Sequence, residues 1–263
     1  MNGQYDKKLK DIEFYKIHPE YLPFVGDKFD EFKILQVGES HYIGQTPETE
    51  EFSIAYFDNN WWQDKCLDVF EHEHPDDVDW GSWYTTRDVI HRFFDDYQNN
   101  YSIFSNPLKV FLDTCLQEKQ AVYSGDHFRQ AYHYFAFMNF FQMPSLHHGE
   151  GFWKSLEVSA KKLNNEQLAY KVYELTAEKS AGVLDNVIKT LRPRVVVFTS
   201  SSAWKAYKKY GTNTDNKEGS FMIQTAHPGC CWWNRKKKNG ISSRIHLETE
   251  FKKVYQMSII REE

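Results

Sequence analysis

The chain reads as an α/β protein, a three-layer α/β/α arrangement around a central, mainly parallel β-sheet. Three observations predict this. Short apolar runs alternate with helical patterns, as in parallel strands joined by helical crossovers. One run, Val195-Val196-Val197-Phe198, is apolar without alternation, as in a strand covered on both faces. Polar or glycine-rich turns end the strand-like runs: Gly38-Glu39-Ser40-His41-Tyr42 after 32–37, Ser200-Ser201-Ser202 after 194–199, and His227-Pro228-Gly229 after 221–226. Ligands bind at the carboxyl ends of strands in open α/β sheets. These stretches are therefore expected to share one cleft holding a carboxylate, a histidine and backbone amides.

The elements follow from spacing. Residues 1–30 read as a helix and a Pro-containing loop on the outside, and 33–37 as the first strand. Residues 43–80 form a polar and aromatic insertion with a helix expected at 53–70. In 87–97, Val89, Ile90, Phe93 and Phe94 have helical spacing, and 107–116 repeats the pattern briefly. The aromatic run 132–141 predicts a buried strand containing Asn139. The clearest amphipathic helix is 167–191, with Leu168, Val172, Leu175, Ala181, Leu184, Val187, Ile188 and Leu191 at core intervals; Pro193 ends it. A strand at 195–198 precedes a helix at 203–210, ended by Gly211. A strand at 222–225 and a closing helix at 247–259 complete the chain. No repeat or linker divides it, so 1–263 is read as one domain.

Composition narrows the function classes. The heavy aromatic load, 20 Phe, 16 Tyr and 8 Trp, points first to a thick core. The formal net charge of -5 argues against a strongly basic nucleic-acid binder. Its distribution is uneven: 64–79 is acidic, and Arg235-Lys236-Lys237-Lys238 is basic. That basic run is either a phosphate-binding patch or a solvated loop. The cysteines are Cys66, Cys115, Cys230 and Cys231, with no Cys-x-x-Cys, which disfavours a zinc ribbon or iron–sulfur cluster. No run approaches a membrane-spanning length, and the N-terminus lacks a signal-type apolar stretch. The expectation is a cytoplasmic, soluble monomer without metal or cofactor.

In this order, GESHY, LRPRVVVFTSSSAWKAY and TAHPGCCWW resemble the uracil-DNA glycosylase superfamily. Those proteins carry a Gly-Gln-Asp-Pro-Tyr or Gly-Glu-Ala-Pro-Gly motif, a Pro-Xaa-Val-Val-Val strand with a small-residue turn, and a final His-Pro-Ser motif. The resemblance runs from about residue 32 to 244 on short motifs. His41 stands where the family usually has Pro, and Gly229 where it usually has Ser. It implies excision of uracil or a related damaged base from single- or double-stranded DNA, with base flipping. Glu39 would orient water and stabilise a cationic sugar, and His227 would hold charge on the leaving base. Gly38, Ser40, His41, Tyr42, Phe52 and Asn139 would line the base pocket. Tyr42 would exclude thymine, Phe52 would stack, and the Asn139 amide would read the base edge. Ser200, Ser201, Pro228, Gly229, Trp232, Trp233, Arg235, Lys236 and Lys237 would contact DNA, the tryptophans as wedges beside cations.

Other readings compete. His72, His74, Asp76 and Asp77, or His147 and His148, could bind a metal. Ser40 lacks the G-x-S-x-G of a nucleophile elbow, because Tyr42 takes the second glycine position. The same fold could also bind nucleotide or nucleic acid without catalysis, and the aromatic insertion could be a protein-partner surface.

Overall fold

A strand buried on both faces needs a neighbour on each edge, and Val-rich runs here build the middle of a sheet. This computed structural model of the chain describes residues 3–42, 61–63, 85–95, 101–145, 151–212, 219–237 and 240–259. Within them one sheet contains β1 Phe24–Val25, β2 Ile34–Tyr42, β3 Phe135–Ser145, β4 Val195–Phe198 and β5 Phe221–Gln224, in the order β1-β3-β2-β4-β5. β3, β2, β4 and β5 run parallel, and β1 is an antiparallel edge strand. The helices are α1 Gly3–Lys10, α2 Glu13–Ile17, α3 Phe29–Phe32, α4 Thr86–Asp95, α5 Ser102–Thr114, α6 Gly125–Tyr132, α7 Phe152–Lys162, α8 Glu166–Leu191, α9 Ser201–Tyr210 and α10 Ser243–Ile259.

Successive strand residues point to opposite faces, and the core divides accordingly. Leu35, Val37, Met138, Val196 and Phe198 pack with Leu156, Leu184 and Ala203 of α7, α8 and α9. Ile34, Phe137, Val195 and Val197 pack with Leu108, Phe128 and Leu247 of α5, α6 and α10. No described helix is long and apolar enough to cross a membrane.

The junctions show why the chain folds this way locally. Lys33 adopts φ 54°, and its carbonyl accepts from both Arg194 N–H (2.8 Å) and Val195 N–H (3.2 Å), tying the start of β2 to the start of β4. Arg192, at φ 48°, turns the chain out of α8 before Pro193. Pro107 lies inside α5 and has no N–H for the Ile103 carbonyl one turn earlier. Gln36 Nε2 donates to that carbonyl instead, at 2.8 Å, from the central strand.

Several expected boundaries move. Tyr132 ends α6 rather than opening a strand, because Ser124 and His127 form a reciprocal cap that starts a helix at Gly125. β3 therefore begins at Phe135. α6 and α7 are absent from the sequence reading. The stretch Gly38–Tyr42, expected as a turn, is the second half of β2. It pairs with β3 as far as Tyr42↔Ser145, with a bulge between Ser40 and Tyr42. β4 stops at Phe198, opposite Val37, and β5 at Gln224. β2 and β3 thus overhang their neighbours and leave a notch above the end of β4. The helix expected at 53–70 lies outside the described residues apart from 61–63, where Trp61 is buried.

Gly26 permits the closest backbone approach at the β1 edge: a Cβ there would stand 2.0 Å from the His133 carbonyl oxygen. Gly26→Ala is expected to lower the unfolding free energy by about 1–3 kcal/mol, as overpacking does. Urea denaturation measures it.

Candidate functional site

Alternation along β2 places Glu39 on the same face as Leu35 and Val37, toward the first turns of α7 and α9. Both carboxylate oxygens have partners there. The Phe152 N–H donates to Oε1 at 2.9 Å, and the Ser200 hydroxyl donates to Oε2 at 2.6 Å. Ser200 is the N-cap of α9 and accepts from Ala203 N–H at 3.2 Å. The Glu39 carboxylate is therefore held at the amino ends of two helices, where partial positive charge favours an anion.

His227 follows β5 across the notch. The Gly229 N–H donates to its Nδ1 at 3.1 Å, so Nδ1 carries no proton and the neutral ring bears its hydrogen on Nε2. Burial of its inner side pushes the His227 pKa down, and the Glu39 charge opposes this. Solvent on the open side screens both effects. α5 fixes the turn from outside: Asn106 Nδ2 donates to the Pro228 carbonyl at 2.8 Å. Gly229 packs closely: a Cβ there would stand 2.6 Å from Ser102 Oγ and 3.2 Å from the His227 ring, so the Ser102 side chain would have to turn away.

The remaining predicted base-pocket residues divide. Tyr42 is half-buried, and its pKa is raised by desolvation and then by the Glu39 charge. Asn139 lies opposite Gly38, facing α5 rather than α7, and a Cβ at Gly38 would stand 2.2 Å from Asn139 Oδ1. Among the described residues the Asn139 amide makes no hydrogen bond, although its carbonyl accepts from Gln142 Nε2 at 2.5 Å. Ser40 is buried, and its hydroxyl has no hydrogen-bond partner among the described residues. Glu39 and Asn139 thus stand on opposite sides of the β2–β3 ribbon.

His41 does not line the cleft. It is buried against Tyr21, ring centroids 4.7 Å apart, and its Nε2 lies 3.0 Å from Thr86 Oγ1. Thr86 donates its proton to the Tyr21 carbonyl, so His41 Nε2 is the donor, and its Nδ1 has no partner among the described residues. Desolvation pushes its pKa down to about 3. The reading of this histidine as a base contact is corrected: sequence position alone did not reveal that the bulge turns its ring inward.

The loop after the His-Pro-Gly turn is mixed. Trp233 is 1% exposed and packs in the cluster with Leu247 and Phe251, so it is not available as a wedge in this conformation. Trp232 is 53% exposed. Arg235 and Lys236 are exposed, and Lys237 is half-buried with its N–H donating to the Ile241 carbonyl. Ser201 is exposed and accepts from Gln224 Nε2 at 3.1 Å, whereas Ser200 is buried and committed to Glu39. Phe52, Lys238 and the histidines at 72, 74, 147 and 148 lie outside the described residues. Among the described residues, no three His, Cys, Asp or Glu side chains group as a metal site.

Sequence reasoning missed Phe152, Ser102, Asn106 and Tyr173. Tyr173 packs against Phe141 and Phe152, and its pKa is raised by desolvation, then by the charges of Glu174 and Glu39. Gly151 before an apolar run was the one local sign of the helix that brings Phe152.

Two predictions follow from these placements. Trp233→Ala is expected to cost about 3–5 kcal/mol of stability, while Trp232→Ala stays within about 0.5 kcal/mol; equilibrium unfolding compares them. His41 has a depressed folded pKa, so its stabilising contribution is present above its unfolded pKa of 6.5 and is lost as pH falls toward about 3. Over that window His41→Leu should flatten the pH dependence of unfolding by up to about 1.4 kcal/mol per pH unit.

Comparison with protein-family models, curated proteins and solved structures finds no match to this chain.

Proposed function

We propose that the chain is a DNA glycosylase of the uracil-DNA glycosylase type, with that family's three-layer architecture, hydrolysing the N-glycosidic bond of uracil or a related base. The observation that carries this reading is the placement on either side of the notch of a clamped carboxylate, Glu39, and a histidine, His227, whose accepting Nδ1 puts the ring proton on Nε2. Cleavage of this bond develops positive charge on the sugar and negative charge on the departing base. Glu39 supplies a fixed negative charge for the first and a site to orient water. The His227 Nε2–H supplies a donor for a base carbonyl, and a neutral imidazole does so without first releasing a proton. The Asn139 amide, without a partner among the described residues, offers one donor and one acceptor to a base edge. Trp232, Arg235 and Lys236 form the exposed apolar and cationic surface suited to DNA beside the notch.

One observation favours a second reading, binding of a nucleotide or nucleic acid without hydrolysis. Gly38–Tyr42 is strand rather than turn, which separates Glu39 from Asn139.

Labelled single- and double-stranded oligonucleotides carrying one uracil, followed by alkali cleavage of abasic sites, test the proposal. Cleavage by the wild type is expected, with Glu39→Ala and His227→Ala each slowing it about 10²–10³-fold. DNA binding without cleavage would replace the enzyme reading with the binding one.

A further inference from the structure

We infer that Ser200 is a positioning residue: its hydroxyl, with the α7 amino terminus, locks the Glu39 carboxylate in the orientation the cleft uses, an inference that rests on the glycosylase reading. The Ser200 side chain is 1% exposed. Its acceptor side takes the Ala203 N–H at 3.2 Å, and its single proton goes to Glu39 Oε2 at 2.6 Å. A hydroxyl engaged in both directions cannot rotate freely, and it has no proton left to give a phosphate. Ser200 therefore serves the carboxylate rather than the DNA backbone expected from its place in the serine cluster.

The opposite oxygen is fixed independently. Phe152 donates to Oε1 at 2.9 Å, and its ring stacks on Phe141 of β3, centroids 4.2 Å apart and 16° between planes. Gly151 leaves room for the carboxylate: a Cβ there would lie 3.0 Å from Oε1. Rotation of the carboxylate would break a hydrogen bond to at least one helix. α7 and α9 reach Glu39 from different crossovers, so the group is preorganised by tertiary packing before any substrate arrives. In an acceptor held this way, loss of one donor loosens the charge without removing it, so the effect falls on the chemical step more than on substrate binding.

The test is steady-state excision by Ser200→Ala and Ser200→Thr, each alone and Ser200→Ala also in a Glu39→Ala background. Ser200→Ala is expected to lower kcat about 10²-fold with KM within about twofold. Ser200→Thr, which keeps the hydroxyl and the cap, restores most of the rate. In Glu39→Ala protein the same Ser200→Ala change should cost no further rate. An equal loss in both backgrounds, or a raised KM with kcat unchanged, overturns the inference in favour of a plain helix cap or a substrate contact.

If wild-type protein excises nothing, the glycosylase reading fails, and thermal melting of the same variants decides the positioning role by itself. Ser200→Ala should then lower Tm by about 2–4 °C more in the wild-type than in the Glu39→Ala background. Equal lowering in both would show that Ser200 supports only its helix.

Discussion

The Glu39 carboxylate ties the central strand to the helices on one face of the sheet. Its partners come from α7 and α9, elements that reach the strand through separate crossovers. A buried or half-buried carboxylate is costly unless its oxygens accept hydrogen bonds. The chain meets that requirement with a backbone amide and a capping hydroxyl at helix amino ends, where the local dipole has the complementary sign. The charge is thereby held at the edge of the notch, where its field reaches Tyr42, Tyr173 and His227.

The opposite face is tied to the same strand by a different bond. Pro107 leaves the Ile103 carbonyl without its helical donor, and Gln36 supplies one. α5 is thus registered against β2, and the same helix holds the His227 turn through Asn106. Glu39 and His227 are positioned from opposite sides of the sheet, yet both positions refer back to β2. Unequal strand lengths then create the space between them, since β2 runs on past the end of β4.

Much of the architecture was legible because it rests on local periodicity. The long helix ending at Leu191 and the valine strand after Pro193 appear where spacing and proline place them. α6 was missed, and its last residue, Tyr132, was read as strand because the aromatic run leading into β3 starts there. The Ser124–His127 cap marks where the helix begins, and histidine is an unusual partner in that motif. The candidate site was legible by residue type at Glu39 and His227, but not at His41 or Trp233. Their side chains have the chemistry of a site and the burial of a core.

By itself the sequence determined the mainly parallel α/β class and the order along the chain of the strands that carry the carboxylate and lead to the histidine. These depend on patterns within one element, where neighbouring residues carry all the information. Tertiary structure alone decided which groups meet. It directed Ser200 to Glu39, turned His41 inward at the bulge, sent Trp233 into the core and put Asn139 on the other side of the ribbon. Each depends on strand register and helix placement across long stretches of chain, and a single-residue change of register in a strand reverses the face a side chain occupies.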